Sequence, residues 1–267
     1  MMATTPPTAL DGKTALVTGS TSGIGLAIAE ALAGMGCSVI LNGFGEPEVA
    51  RAQVERVAAG SCRIAYHGAD LGKPAEIATL MQFAELEFGG IDILVNNAGI
   101  QHVASVEDFP VDKWDAILSI NLSAAFHTTR LALPHMRAAN WGRIINVASV
   151  HGLVASTNKS AYVAAKHGLI GLTKVTALET ARTGITCNAL CPGWVETPLV
   201  QRQVEARATR DGVATDDARS ALVSEKQPSG DFVSTAQLAS VAVFLCSSAA
   251  DQVRGASWNV DGGWTAQ

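Results

Sequence analysis

"VTGSTSGIGLAIAEAL", residues 17–32, sets the frame for the whole chain. A short β-type run, "TALVT" at 14–18, leads into it, and an Ala-, Leu- and Ile-rich helical pattern leads out. Between them stand Gly19, Gly23 and Gly25 at G-x-x-x-G-x-G spacing. Such glycines let the chain turn sharply and bring its backbone close to a pyrophosphate, whose charge suits the free N–H groups and positive end of the helix. The spacing is not the G-x-G-x-x-G of the common dinucleotide fingerprint. A glycine-rich strand-to-helix turn can also serve packing alone, so its surroundings must decide.

Outward from this turn, β-type runs recur with helical segments between them. They are "SVILN" (38–42), "RIAYHG" (63–68), "IDILVNN" (91–97), "RIINVAS" (143–149), "ITCNALC" (185–191) and "SWNVDG" (257–262). With the first run, that is seven strands alternating with helices, which predicts a doubly wound, Rossmann-type parallel sheet with helices on both faces. The apolar run at 91–95 fits a strand buried on both sides. No repeat or linker interrupts the pattern, so residues 11–267 form one α/β domain behind a flexible tail at 1–10. One connection is unusually long. Residues 192–234 hold two weakly amphipathic stretches, "TPLVQRQVEARA" and "TDDARSALVSEK", where a short loop is the norm, and this predicts a helical substrate lid.

The bulk numbers exclude several classes. At 267 residues, with 48% apolar and 16% charged side chains, the chain can bury a large core. A net charge of -5 argues against a nucleic-acid or anionic-membrane partner, since either calls for a basic face. The five cysteines form no C-x-x-C pair, which fits reduced thiols; no metal centre is expected. The opening "MMATTPPTAL" is not signal-like, and no run approaches a membrane span, so a cytoplasmic protein is expected.

Tyr162, one of only two tyrosines, lies four residues before Lys166 in "SAYVAAKHGLIGLTKVTAL", a helical pattern that places both on one face. A free phenol titrates near 10, so neutral-pH ionisation needs about 3 units, or roughly 4 kcal/mol. One ammonium at about 4 Å with an effective dielectric near 20 supplies about that much. The pair can therefore make Tyr162 a general base, although Tyr-x-x-x-Lys alone is common as a surface or stacking pair.

Taken together, T-G-x-x-x-G-x-G at 18–25, N-N-A-G at 96–99, Ser149 with Y-x-x-x-K at 162–166, and P-G at 192–193 resemble the short-chain dehydrogenase/reductase family over roughly residues 11–264. The resemblance implies a nicotinamide cofactor across the carboxyl ends of the strands, and a homotetramer. It implies cofactor contacts from Gly19, Thr21, Ser22, Gly23, Ile24 and Gly25 on the turn, and from Phe44, Asp70 and Leu71 after the second and third strands. Asn97, Ala98 and Gly99 follow the fourth strand; Tyr162, Lys166, Pro192, Gly193, Val195 and Thr197 complete that set. It also implies a catalytic group of Asn121, Ser149, Tyr162 and Lys166. Tyr162 would exchange the hydroxyl proton, Ser149 would bind the same oxygen, and Asn121 would help to position a water-linked proton path. Read from the residues alone, Asp70 could equally cap a helix and Asn121 could mark a kink. The stretch "ILNGFGEPEVAR" after the second strand carries no cation before Arg51, which favours NAD over its 2′-phosphorylated form; the usual carboxylate is absent too.

A denser set of matches, "NNAGIQH", "HGLVAS", "NKSAYVAAKHG", "CPGWV" and "SEKQPS", resembles the branch of this family that interconverts D-3-hydroxybutyrate and acetoacetate. That resemblance implies that Gln101, His151, Lys159 and Gln203 clamp the substrate carboxylate while Trp194 and Trp264 close a small pocket. Hydrogen-bond donors and a cation suit a small anion in an acidic protein. His151 could instead cap a loop, Lys159 could be solvated and either Trp could be core. An NADPH-dependent 3-oxoacyl reductase is the main alternative and would want a cation near the adenosine ribose. A non-catalytic scaffold would be expected to lack one of Ser149, Tyr162 and Lys166, and all three are present.

Overall fold

The computed structural model describes residues 10–266; residues 1–9, where most of the expected tail falls, and Gln267 lie outside the described residues. Seven parallel strands form one sheet in the order β3-β2-β1-β4-β5-β6-β7. They are β1 (Thr14–Val17), β2 (Ser38–Leu41), β3 (Ile64–Tyr66), β4 (Ile93–Asn96), β5 (Gly142–Val147), β6 (Ile185–Pro192) and β7 (Ser257–Val260). Each falls within a residue or two of an expected run. Leu10 corrects the expected tail boundary: it is buried in the core and its N–H bonds the carbonyl of Met35 at 3.1 Å. An apolar side chain with a core site and a backbone partner is part of the domain.

Alternation along the strands builds two apolar layers. Ala15, Val17, Val39, Leu41, Ile93 and Val95 pack against α1 (Gly23–Gly34), α2 (Pro47–Val57) and α9 (Thr235–Cys246). Leu16, Ile40, Leu94, Ile144 and Ile185 face α3 (Pro74–Phe88), α5 (Ala124–Ala139) and α6 (Ser160–Glu179). Burying each such Ile, Leu or Val contributes about 1.5–3 kcal/mol, and a sheet covered on both faces collects that gain on every strand position. Local signals end the helices: Pro74 opens α3, left-handed Gly89 closes it, and Ser234 with Gln237 forms a capping box on α9.

β1 lies between β2 and β4, so the connections leave in opposite directions there and open a crevice at the strand carboxyl ends. α4 (Val111–Leu118) runs through a π-helical turn, Ser119–Ser123, into α5. The long connection after β6 forms α7 (Pro198–Asp211) and α8 (Thr215–Ser224), which are the helices expected of a lid. Among the described residues no helix is long and apolar enough to cross a membrane.

Candidate active site

A cavity of about 480 Å³ occupies the crevice. Its floor is the glycine turn. Gly19 and Gly23 both adopt positive φ, 62° and 58°, where side chains are strained. A Cβ on Gly19 would stand 2.9 Å from the Cα of Ala98, so only a bare backbone passes. The turn is stitched to the end of β4. Asn97 donates through Nδ2 to the carbonyls of Thr18 and Gly19 at 2.9 and 3.0 Å, and Thr18 Oγ1 accepts the N–H groups of Asn97 and Ala98. Ser22, the N-cap residue of α1, makes no side-chain cap bond, and Ser22, Gly23 and Ile24 line the cavity, so the first N–H groups of the helix are left for a ligand there. This cradle fits the diphosphate of a dinucleotide.

Of the expected cofactor contacts, all but Gly25 line the cavity. Gly25 lies behind the wall, where a Cβ would meet Asn97 Nδ2 and the carbonyl of Gly19, both at 2.5 Å; its bareness lets the turn close. Phe44 is exposed at the rim, with its carbonyl held by Thr21 Oγ1 at 2.6 Å. Asp70 does not cap α3, whose N-cap position is Lys73; its Oδ1 accepts the Gly72 N–H at 2.9 Å in a local turn on the cavity wall. Arg51, the first cation after β2, pairs with Glu55 at 2.8 Å and is not among the residues that line the cavity.

Ser149 follows β5 by two residues and caps the short turn Val150–Gly152, and Tyr162 and Lys166 stand one turn apart on α6. Burial raises the Tyr162 phenol above its usual range, and the neighbouring Ser149 hydroxyl opposes that shift. Lys166 Nζ donates to the Val147 carbonyl at 2.7 Å and sits 5.6 Å from the Tyr162 ring centroid. Burial lowers the Lys166 ammonium to about 8, so it is still mostly charged at neutral pH. Asn121 is buried in the π-helical turn behind the wall. Its side chain accepts the Ile100 N–H at 2.8 Å and donates to the Ile100 carbonyl at 2.9 Å, fixing the strand end that carries Gly99 and Gln101.

At the lid end of the cavity stand Gln101, His151, Lys159, Trp194, Gln203 and Trp264. Lys159 Nζ lies 5.2 Å over the Trp194 ring, Trp194 tilts against Trp264 at 6.0 Å, and Trp264 meets the edge of His151 at 5.4 Å. Burial lowers the Lys159 ammonium and Glu225 opposes the shift. Gln101 Nε2 and Trp194 Nε1 are buried donors without a partner among the described residues. His151 is more constrained than its sequence position suggested. Its Nδ1 lies 3.4 Å from Ser149 Oγ and its Nε2 lies 2.9 Å from Ser156 Oγ. Burial, then the charges of Lys159, His167 and Lys226, lowers its pKa to about 4, so the ring is neutral near pH 7.

Sequence reasoning missed Arg202 on α7, which lines the cavity, and Ser156, which holds His151. Arg202 lies beside the expected Gln203 on an amphipathic stretch, a position that could have flagged it. Ser156 sits in an irregular loop where no periodicity applies.

A nucleotide cradle at the switch point of a parallel sheet, with Ser, Tyr and Lys beside it, defines a nicotinamide-dependent oxidoreductase site. The chain belongs to the short chain dehydrogenase family, whose match covers residues 13–208. Among its relatives, the D-beta-hydroxybutyrate dehydrogenase of Cupriavidus necator is 66% identical over 97% of this chain and 100% of its own length. The D-beta-hydroxybutyrate dehydrogenase of Rhizobium meliloti is 52% identical over 96% of this chain and 99% of its own. The solved structure of L-sorbose reductase from Gluconobacter frateurii, complexed with NADPH and L-sorbose, superposes with a TM-score of 0.92 at 29% identity, covering 98% of this chain and 99% of that one.

Proposed function

We propose that this chain oxidises D-3-hydroxybutyrate to acetoacetate, and runs the reverse reaction, with NAD. One observation carries the substrate class: the Lys159 ammonium and the unpartnered donors Gln101 Nε2 and Trp194 Nε1 line the same cavity as Tyr162 and Ser149. Buried donors without acceptors are costly, and a carboxylate relieves that cost. The identity to two D-beta-hydroxybutyrate dehydrogenases supports the particular acid and its stereochemistry. The stretch between β2 and Arg51 carries no cation for a 2′-phosphate, and Arg51 itself pairs with Glu55, which supports NAD.

When bound, the oxidised nicotinamide ring supplies the hydride acceptor and a positive charge. Tyr162 takes the proton of the substrate hydroxyl, and Ser149 hydrogen-bonds that oxygen as it becomes a carbonyl. Lys166 keeps a positive charge near the phenol and contributes to the cofactor site. Gln101, Lys159 and Gln203 hold the carboxylate, His151 lends a neutral polar edge, and Trp194 and Trp264 exclude water. In the reverse direction Tyr162 returns the proton. We place the enzyme in the cytoplasm as a homotetramer; the free cysteines fit a reducing compartment, and exposed Trp114, Phe126, Val175 and Leu178 fit contacts between copies.

The test follows nicotinamide absorbance with D- and L-3-hydroxybutyrate, a longer 3-hydroxy acid, and NAD or NADP. Turnover of the D-acid with NAD is expected. Turnover confined to NADP, or equal rates with the longer acid, refutes the proposal. Light scattering on the purified protein checks the tetramer.

A further inference from the structure

The stretch "SEKQPS", residues 224–229, does not line the cavity described above, yet it contains one of the most deeply buried polar side chains of the lid. Gln227 is 1% exposed and lies where the two ends of the lid meet. Its Oε1 accepts the N–H of Trp194, at the lid's start, in a short hydrogen bond. Its Nε2 donates to the carbonyl of Asp231, at the lid's end, at 2.6 Å. Backbone bonds complete the neck: Val233 N–H to the Trp194 carbonyl at 2.9 Å, and Glu196 N–H to the Val233 carbonyl at 3.0 Å. The C-terminal turn that carries Trp264 joins the same knot, since Ser229 N–H donates to the Gly262 carbonyl at 3.0 Å. Gly193 and Gly262 leave the room: a Cβ on Gly193 would collide with Gln227 Oε1, and one on Gly262 would stand 3.2 Å from Nε2.

We propose that Gln227 is the positioning residue of the substrate end: its amide ties both ends of the lid together and so fixes the Trp194 indole against Lys159 and Trp264. The role follows from chemistry that only an amide at this length provides, a donor and an acceptor on one planar group. The backbone of Trp194 is pinned by Gln227 on its N–H and by Val233 on its carbonyl, so its ring has a fixed base.

The inference deepens the proposed function and rests on it for its kinetic arm alone. Gln227→Glu keeps the acceptor but loses the donor and sets a carboxylate against the Asp231 carbonyl; Gln227→Met loses both. In the Glu variant the KM for D-3-hydroxybutyrate rises roughly tenfold, the scale of an unsatisfied buried polar group, while kcat and NADH affinity, measured by fluorescence titration, change less than about twofold. Hydrogen exchange needs no substrate. In wild type the Trp194 amide exchanges more slowly than the amides of α7; in Gln227→Met, residues 194–196 and 231–233 lose that protection while the sheet keeps its own. An unchanged KM with unchanged exchange overturns the inference, as does a parallel loss of acid and NADH affinity, which would make Gln227 a general support of the fold. Neck deprotection in the Met variant of a protein that fails to turn over the acid would sustain Gln227's role and refute the assigned substrate.

Discussion

Replacing Lys159 by alanine removes an ammonium at the lid end of the cavity for which, among the described residues, no backbone carbonyl plays the part that Val147 plays for Lys166. A charge pair at about 4 Å with an effective dielectric near 20 is worth about 4 kcal/mol. Part of that is offset, because burial already holds the Lys159 ammonium below the usual lysine range and a bound carboxylate must shed its own water. What remains is on the scale of a charged hydrogen bond, about 1.5–3 kcal/mol, or roughly 10- to 150-fold in affinity. The assay is initial rate against D-3-hydroxybutyrate at saturating NAD, beside a titration of NADH binding. KM for the acid should rise by that factor while NADH affinity stays within about twofold of wild type. Butan-2-ol, the matching alcohol with a methyl in place of the carboxylate, supplies the control: its kcat/KM should be unchanged, so the preference for the acid shrinks by the same factor. Lys159 must be protonated to act, so the wild-type KM for the acid should climb as pH rises through its lowered pKa, and the alanine variant should lose that rise. An equal fall in NADH affinity, or an acid KM that does not move, would refute the assignment of Lys159 to the carboxylate.

Tyr162→Phe should lower kcat by about 10²- to 10⁴-fold, with NADH binding retained, as measured by stopped-flow absorbance and fluorescence titration; a kcat within tenfold of wild type would remove Tyr162 from proton transfer. His151 has a folded-state pKa of about 4 against an ordinary 6.5, so below pH 6.5 the unfolded chain binds the extra proton and stability falls as pH drops toward 4, by about 3 kcal/mol in all. No such cost acts above pH 6.5, and chemical denaturation of His151→Gln should lack this part of the acid loss; identical pH profiles would contradict the depressed pKa. Gly25→Ala forces a methyl to within 2.5 Å of Asn97 Nδ2 and the Gly19 carbonyl, so the turn must shift. That overpacking should cost about 1–3 kcal/mol in urea unfolding and weaken NADH binding, and unaltered affinity would show that the turn need not close this tightly.

Most of the architecture is legible in the sequence. The seven strand runs and the glycine turn are local features, so their lengths, alternation and order carry into the sheet with boundaries shifted by a residue or two. The cavity wall was legible for a different reason: its residues follow strand ends, and parallel topology gathers strand carboxyl ends in one place. Where expectation and structure part, contacts that the residue pattern does not encode are the cause. Asp70 had equal claims as a helix cap and a wall residue until Lys73 took the N-cap position. Leu10 looked like tail until its core site and its bond to Met35 were seen. The four-residue spacing placed Tyr162 and Lys166 on one face but could not show that the Lys166 ammonium bonds the Val147 carbonyl at the end of β5.

By itself, then, the sequence determined a parallel α/β sheet, a phosphate-binding turn at its switch point and the Ser149, Tyr162 and Lys166 group, because each depends on periodicity or fixed short spacing. Only the tertiary structure decided that Gly25 serves closure of the turn, that both ring nitrogens of His151 face serines, and that Gln227 knots a lid whose ends are more than thirty residues apart. Those outcomes depend on which buried donor meets which acceptor across distant segments. Hydrogen bonding of that kind is set by the assembled fold and leaves no periodic trace along the chain.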